Sequence, residues 1–139
     1  MNFVQAKKDF PLLDVAVTSL VEDLHDRGLA DDVSVIVWGE FGRTPFREGR
    51  TAEGSILGRD HFPDCYSIWM CGGGIRPGMI YGATDELGYS AVDSPVDVHD
   101  IHATLLRQLG IDHTRLSVKF QGLDVRLTGI AGRVIQDII

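Results

Sequence analysis

The sequence is poor in the residues that tie a protein to an oxidising compartment or a membrane. It has two cysteines in 139 residues. On one extended strand Cys65 and Cys71 would lie about 20 Å apart, whereas a disulfide needs Cα atoms within roughly 7 Å. No apolar run approaches the roughly 20 residues that span a bilayer, and Lys7 and Lys8 follow the first residues with no apolar signal segment. We therefore expect free thiols, no membrane span and no signal peptide.

Basic residues are also in short supply. Thirteen Lys and Arg stand against 20 Asp and Glu, which gives a net charge of −7. Because nucleic-acid backbones are bound by basic surfaces, this balance argues against nucleic acid as the main partner. What is present is ordinary: 44% hydrophobic and 24% charged residues, in a length that suits one domain with a core of normal size.

A first helix is predicted near the start of the chain. Apolar residues recur at helical spacing from Phe10 to Leu24. Asp9 suits the N-cap, Pro11 is tolerated in a first turn, and Gly28 suits the position just past the last turn. This helix would lead through a short connection into a strand.

A second helix is predicted after residue 97. Asp97 suits the N-cap and Gly110 ends the pattern. The predicted apolar face consists of Val98, Ile101, Leu105 and Leu109. His99 and His102 lie three positions apart and could share a metal, but no third ligand is evident, so we interpret them as solvent-facing or capping residues.

Two short uncharged runs determine the predicted fold class. Val33–Trp38 and Tyr66–Cys71 are typical of strands buried on both faces, as in a parallel sheet. With the predicted helices before and after them they favour an α/β fold, a layered sandwich with a mostly parallel sheet. Residues 42–64 are predicted to form a long loop, Gly72-Gly73-Gly74 a turn, and Gln121-Gly122 a turn before a short edge strand.

A candidate site follows the first of these strands. Glu40 comes directly after the strand-ending Gly39, and open α/β sheets bind ligands outside their carboxyl strand ends. The loop then leads to the adjacent Asp60 and His61. Two acids and a histidine are compatible with half of a metal site. The same residues are equally compatible with a strand–loop joint whose charges simply face water.

Four segments together resemble the C-terminal half of the DUF1501 family: VIVWGEFGRTP, GRDHFP, GGGIRPGMIYGATDELG and VHDIHATLLRQLGI. That family comprises bacterial proteins of unassigned function, related to the alkaline phosphatase and sulfatase superfamily. The resemblance covers nearly the whole chain. It implies that residues 1–139 are the C-terminal part of an alkaline phosphatase-like domain, with the family's N-terminal strands absent.

The resemblance also implies a chemistry. The superfamily binds two divalent metals, commonly zinc or manganese, and hydrolyses or transfers phosphate or sulfate esters. Glu40 and His61 fall at positions that resemble its metal ligands, and Asp60 is a third candidate by our own inference. Arg43 and Arg59 would hold the anionic ester, because a guanidinium bonds two oxygens at once.

Departures from the family pattern leave two functions open. Phe41 stands where the superfamily has a metal-binding histidine, and neither the sulfatase C-x-P-S-R signature nor the family's D-T-H-x-N-N-F segment is found. The first function is a fragment of a metal-dependent hydrolase, inactive alone because its zinc or manganese site is incomplete. The second is a non-catalytic binding or assembly module on the same scaffold. In either case, uncovered strand edges lead us to expect self-association.

Overall fold

The computed structural model describes residues 2–47 and 58–139. The elements in chain order are helix α1 (Asn2–Asp26), strands β1 (Val35–Val37), β2 (Gly42–Arg43), β3 (His61–Phe62), β4 (Trp69–Cys71), β5 (Ala83–Thr84) and β6 (Ala91–Asp93), helix α2 (Val98–Gln108), strands β7 (Ser117–Phe120) and β8 (Leu123–Arg126), and a 3-10 turn at Gln136–Ile138. Within the described ranges the strands form four antiparallel ribbons of two strands each: β1–β4, β2–β3, β5–β6 and β7–β8.

The predicted layered sandwich with a mostly parallel sheet is therefore wrong. β1 pairs with β4 in antiparallel register, with Val35 opposite Cys71 and Val37 opposite Trp69. Each strand is three residues long, and β1 is only half-buried. A short run of β-branched residues suits a half-covered ribbon as well as a doubly covered parallel strand, and apolar content alone does not separate the two. The two described helices are too few to cover both faces of a large sheet.

Helix α1 is longer than predicted at its start and ends as predicted. It begins at Asn2, so Asp9 is not its N-cap and Pro11 lies inside it. At its other end Gly28 has a φ of 69°, and the amide of Leu29 donates to the carbonyl oxygen of Leu24 at 2.8 Å. This is the Schellman ending, for which glycine is favoured because it adopts the left-handed conformation without strain. Among the described residues no helix combines the length and hydrophobicity needed to cross a membrane.

Helix α2 has the predicted ends but a different buried face. The Asp97 carboxylate accepts from the amide of His99 at 2.8 Å, and the Asp100 carboxylate accepts from the amide of Asp97 at 3.2 Å, which completes a capping box. Gly110, with a φ of 74°, follows the helix. The buried residues of α2 are Asp100, Ile101, Ala103 and Thr104. Two polar side chains are thus buried, whereas Val98 and Leu109 of the predicted apolar face are exposed.

The core lies where α2 meets the segment after residue 131. Its buried apolar cluster consists of Ile101, Ile135 and Ile138. The Thr104 hydroxyl donates to the carbonyl of Asp100 at 2.7 Å and accepts from the amide of Ile135 at 2.9 Å. The Asp100 carboxylate accepts from the amide of Arg133 at 2.7 Å. Polar side chains of α2 therefore fix this segment in register while its isoleucines supply the apolar contact.

Two predicted turns are confirmed. Gly72, Gly73 and Gly74 all have positive φ, and a Cβ on Gly72 would overlap the carbonyl oxygen of Val33, so glycine is required there. Gln121 and Gly122 connect β7 to β8 with φ values of 50° and 83°. Two successive residues with positive φ are typical of the turn that closes a two-residue β-hairpin. The centre of the predicted 42–64 loop, residues 48–57, lies outside the described residues.

Candidate functional site

The two segments that carry the predicted site residues lie side by side in ribbon β2–β3. Gly42 pairs with Phe62, and Arg43 pairs with His61. The ribbon needs glycine at position 42, because a Cβ there would overlap the carbonyl oxygen of Cys65. Residues far apart in sequence are thereby placed on one small antiparallel unit.

Thr44 closes the open end of this ribbon and was not among the predicted site residues. Its amide donates to the carbonyl of Asp60 at 3.0 Å, and its hydroxyl accepts from the amide of Asp60 at 3.0 Å. The hydroxyl also donates to the carbonyl of Phe46 at 3.0 Å, and the residue is only 7% exposed. A threonine before a proline in a polar loop carries no sequence signal of such burial. Thr44 fixes the backbone that presents Asp60 and His61.

Phe41, Arg43 and His61 form a layered contact on the ribbon. The Phe41 and His61 ring centroids lie 4.0 Å apart with the planes tilted by 32°. The Arg43 guanidinium carbon lies 5.5 Å from the Phe41 ring centroid, within the range of a cation–π contact. Arg43 also donates from Nη1 to the carbonyl oxygen of Arg59 at 3.2 Å. The Arg43 guanidinium thus contacts both the Phe41 ring and the main chain of Arg59, the other predicted anion-binding arginine.

The predicted metal ligands are placed less favourably. Asp60 is exposed, and its Oδ1 accepts from the amide of His61 at 2.8 Å. The Glu40 side chain is exposed in the connection between β1 and β2 and forms no hydrogen bond or ion pair with another described residue. A site shared by Glu40 and His61 was predicted on the assumption that both residues lie at the ends of strands in one parallel sheet. That assumption is wrong, because the strands of the described residues form antiparallel ribbons. Their convergence stays a prediction.

A complete zinc or manganese site does not fit the described residues. Across 2–47 and 58–139, no group of three or more His, Cys, Asp or Glu side chains is positioned to hold a metal ion. Zinc takes four protein ligands in structural sites and three in catalytic ones. The neighbouring Asp60 and His61 would therefore need ligands from elsewhere.

Aromatic residues flank the ribbon on the side of β3. Phe62 is buried, and its ring centroid lies 5.0 Å from that of Tyr89. Tyr89 also stacks on Phe46 with centroids 6.4 Å apart. The Asp85 carboxylate accepts from three main-chain amides between residues 87 and 90, and these bonds shape the loop that delivers Tyr89. The charged groups of the ribbon thus border an aromatic surface.

The remaining histidines of the second half of the chain lie in separate places. His99 Nδ1 lies 2.6 Å from Asp97 Oδ1 in the cap of α2, where hydrogen bonds from the His99 amide and ring hold the pKa of Asp97 below its usual range. The His102 ring lies 6.0 Å from Trp38, and His113 lies 3.0 Å from the Thr128 hydroxyl. The cap residue is Asp97, with the His99 side chain partly exposed beside it, and His102 is exposed, which agrees with the solvent-facing interpretation of the two histidines.

A second feature lies at the far end of α1. A cavity of about 530 Å³ opens between the last turns of that helix and ribbon β1–β4, with Val21, Leu24, Val35 and Cys71 in its wall. Both cysteines are free, as predicted, and burial raises the pKa of the Cys71 thiol. The raised pKa favours the neutral thiol over the thiolate.

Comparison with known proteins gives one match. A family model described as a protein of unknown function, DUF1501, matches residues 2–139. No curated protein and no solved structure matches the chain. The family model covers nearly the whole sequence, so the assignment made from the GEFGRTP and GRDHFP segments is confirmed. The chain belongs to the DUF1501 family, whose function is unknown.

Proposed function

We propose that the chain is the C-terminal part of a metal-dependent hydrolase of phosphate or sulfate esters and is inactive by itself. The observation that supports this most directly is the pairing of the two family-specific segments in ribbon β2–β3, with Arg43 opposite His61. A site whose residues come from segments distant in the sequence needs a structural unit that holds those segments side by side. Exposed arginine, imidazole and carboxylate groups on it are the kinds of group that bind an anion and a divalent metal.

In this proposal the arginines hold the ester and the other polar groups supply part of a ligand set. The hydrogen bond from Arg43 to the Arg59 carbonyl limits the motion of a side chain that would otherwise lose rotamer freedom on binding. His61 and Glu40 are the proposed zinc or manganese ligands of this chain, with Asp60 as the third. The nucleophile and the remaining ligands would come from the part of the domain that bears the family's D-T-H-x-N-N-F segment.

A non-catalytic binding or assembly module is the second candidate, and Phe41 favours it. Its ring lies against the His61 imidazole and next to the Arg43 guanidinium, so these side chains stabilise one another instead of converging on a common point. Such a ribbon could bind an anionic partner through Arg43 and Arg59 with no metal and no chemical step.

The two candidates are separated by metal content and hydrolysis in a longer protein that also contains the D-T-H-x-N-N-F segment. We expect zinc or manganese to copurify with it and p-nitrophenyl phosphate or sulfate to be cleaved. Glu40→Ala and His61→Ala should each lower activity at least about 100-fold and reduce the bound metal. Glu22→Ala and His25→Ala, which change the same residue types on α1, should change neither.

Unchanged metal content and activity in both site variants would reject Glu40 and His61 as ligands, whereas a longer protein with neither bound metal nor hydrolysis would reject the hydrolase and leave the binding module. In that case Arg43→Gln should still weaken binding of inorganic phosphate or sulfate, whereas Arg126→Gln on β8 should not. For the 139-residue chain alone we expect no hydrolysis and no zinc binding tighter than about 1 μM, since two or three ligands leave the metal open to water. Sub-micromolar zinc binding lost in Glu40→Ala would contradict this.

A further inference from the structure

Ribbon β2–β3 has one packed face and one face open to solvent. Gly42 and Phe62 form one cross-strand pair, and the Phe62 side chain is buried. Arg43 and His61 form the next pair, and both of these residues are exposed. Residues directly opposite in an antiparallel pair share a face of the sheet, and their Cβ atoms lie about 5 Å apart. The open face therefore presents a guanidinium and an imidazole from neighbouring positions.

Phe41 contacts both of these side chains on the open face. Its ring centroid lies 4.0 Å from that of His61 and 5.5 Å from the guanidinium carbon of Arg43. Arg43 is further fixed by the hydrogen bond from its Nη1 to the carbonyl oxygen of Arg59 at 3.2 Å. A cation is attracted to the negative face of an aromatic ring. The contact with Phe41 is therefore favourable for Arg43 and for a protonated His61.

The open face lacks a negative partner of its own. Within residues 2–47 and 58–139 neither Arg43 nor His61 forms an ion pair with a carboxylate. The Asp60 Oδ1 accepts from the main-chain amide of His61 at 2.8 Å, not from its ring. Like charges directly opposite each other destabilise a strand pair, so an anion between Arg43 and a protonated His61 would be bound favourably. The other charged residues of the two described segments around the ribbon are Glu40, Arg47, Arg59, Asp60 and Asp64.

We propose that Arg43 and protonated His61 together bind a sulfate or phosphate group, so that binding of the anion strengthens as the pH falls. A neutral imidazole offers one donor and no charge, whereas an imidazolium offers a charge and two donors. The inference rests on the proposed function, in which Arg43 holds the ester, and adds a dependence on protonation to that site. In the metal-free chain the proton on His61 supplies positive charge that a metal ion would supply in the proposed hydrolase.

Inorganic sulfate tests this, because it carries two charges over the whole range in which histidine ordinarily titrates, about pH 5 to 8. Its binding to the 139-residue chain is followed by NMR shifts of the His61 ring and of the β2–β3 amides, at constant ionic strength. We expect the affinity to be at least about threefold higher at the acid end of this range, from one added charge beside the anion. Arg43→Gln should weaken binding at both ends. An absence of shifts at tens of millimolar sulfate, or an affinity that does not change with pH, would overturn the proposal.

Variants at position 61 separate the charge of the side chain from its shape. His61→Gln should bind sulfate weakly and equally at both ends of the pH range. His61→Lys stays charged throughout this range and should bind it about as tightly at the alkaline end as at the acid end. His25→Gln on α1 is the matched control and should keep the pH dependence of the parent. A pH dependence that persists in His61→Gln, or that remains as large in His61→Lys, would contradict the assignment to His61.

An ester probe connects this site with the proposed function. p-Nitrophenyl sulfate should displace inorganic sulfate and shift the same signals, and failure to do so would overturn the link between this site and the ester. The sulfate experiment needs neither metal nor hydrolysis. Its failure would reject the proton-dependent site and leave the hydrolase to be decided by metal content and activity in the longer protein. A longer protein without metal or hydrolysis would reject the hydrolase and leave the expected sulfate binding unchanged.

Discussion

Replacing Thr104 by Val removes one buried hydroxyl while keeping the shape of the side chain. Thr104 is 1% exposed, and its hydroxyl accepts from the amide of Ile135 at 2.9 Å. Valine accepts no hydrogen bond, so this buried amide loses its partner, at a cost of about 1–3 kcal/mol. The lost donation to the Asp100 carbonyl adds less, because a helical carbonyl at this position keeps its main-chain bond. We expect the free energy of unfolding to fall by about 2 kcal/mol and the melting temperature by roughly 6 °C.

Urea unfolding measures the loss of stability, and native-state hydrogen exchange assigns it to the amide of Ile135. Thr18→Val makes the same change on the exposed surface of α1 and should stay within about 0.5 kcal/mol of the parent. Thr104→Ser keeps the hydroxyl and loses one methyl group, so its cost should be near 0.8 kcal/mol with the Ile135 amide still protected. The reasoning fails if Thr104→Val leaves both the stability and the exchange of that amide unchanged.

Three further changes test other parts of the fold. Asp97→Ala should cost about 1 kcal/mol near neutral pH through loss of the helix cap. The pKa of Asp97 is lower in the folded state than in the unfolded state, so its stabilisation of the fold is present above the usual carboxyl pKa. That stabilisation is lost as the pH falls through the folded-state pKa. Free energies of unfolding from urea titrations should therefore become equal for parent and variant in acid. Gly42→Ala should cost about 1–3 kcal/mol by forcing ribbon β2–β3 apart. Gly39→Ala should be neutral in calorimetry, because a Cβ there meets only the Phe41 carbonyl oxygen at 3.8 Å, an ordinary contact; equal effects would contradict the ribbon. Gln121→Asn should raise the melting temperature slightly, because Asn tolerates the positive φ of this hairpin turn better; a lowered value would argue against that turn.

The ends of helices were the most predictable part of the structure. A capping side chain or a left-handed glycine acts on amides and carbonyls a few residues away, so Asp97, Gly28 and Gly110 could be assigned from local sequence. Asp9 failed as a cap because the helix continues through it to Asn2. The apolar pattern of α2 also misled, because the burial of Asp100 and Thr104 depends on main-chain amide donors more than thirty residues away.

Strand partners and the candidate site could not be deduced in the same way. An uncharged run specifies neither direction nor partner, so β1 was assigned to a parallel sheet although it pairs antiparallel with β4. In the candidate site, the family resemblance proposed Arg43 and His61 but did not predict that they pair across a ribbon. Thr44 was missed because its burial arises from main-chain groups of Asp60, which approach only after the ribbon forms.

The composition of the core has a consequence for the order of folding during synthesis. The cluster joins Ile101 of α2 to Ile135 and Ile138, which are made more than thirty residues later. The amide that Thr104 binds also belongs to this late segment. A growing chain therefore completes α1 and ribbon β2–β3 before its core can close. Through that interval the exposed apolar side chains of α1, among them Phe10, Leu13 and Leu20, are already present on an unfinished chain, and a neighbouring nascent chain or a chaperone that shields apolar segments would meet them first.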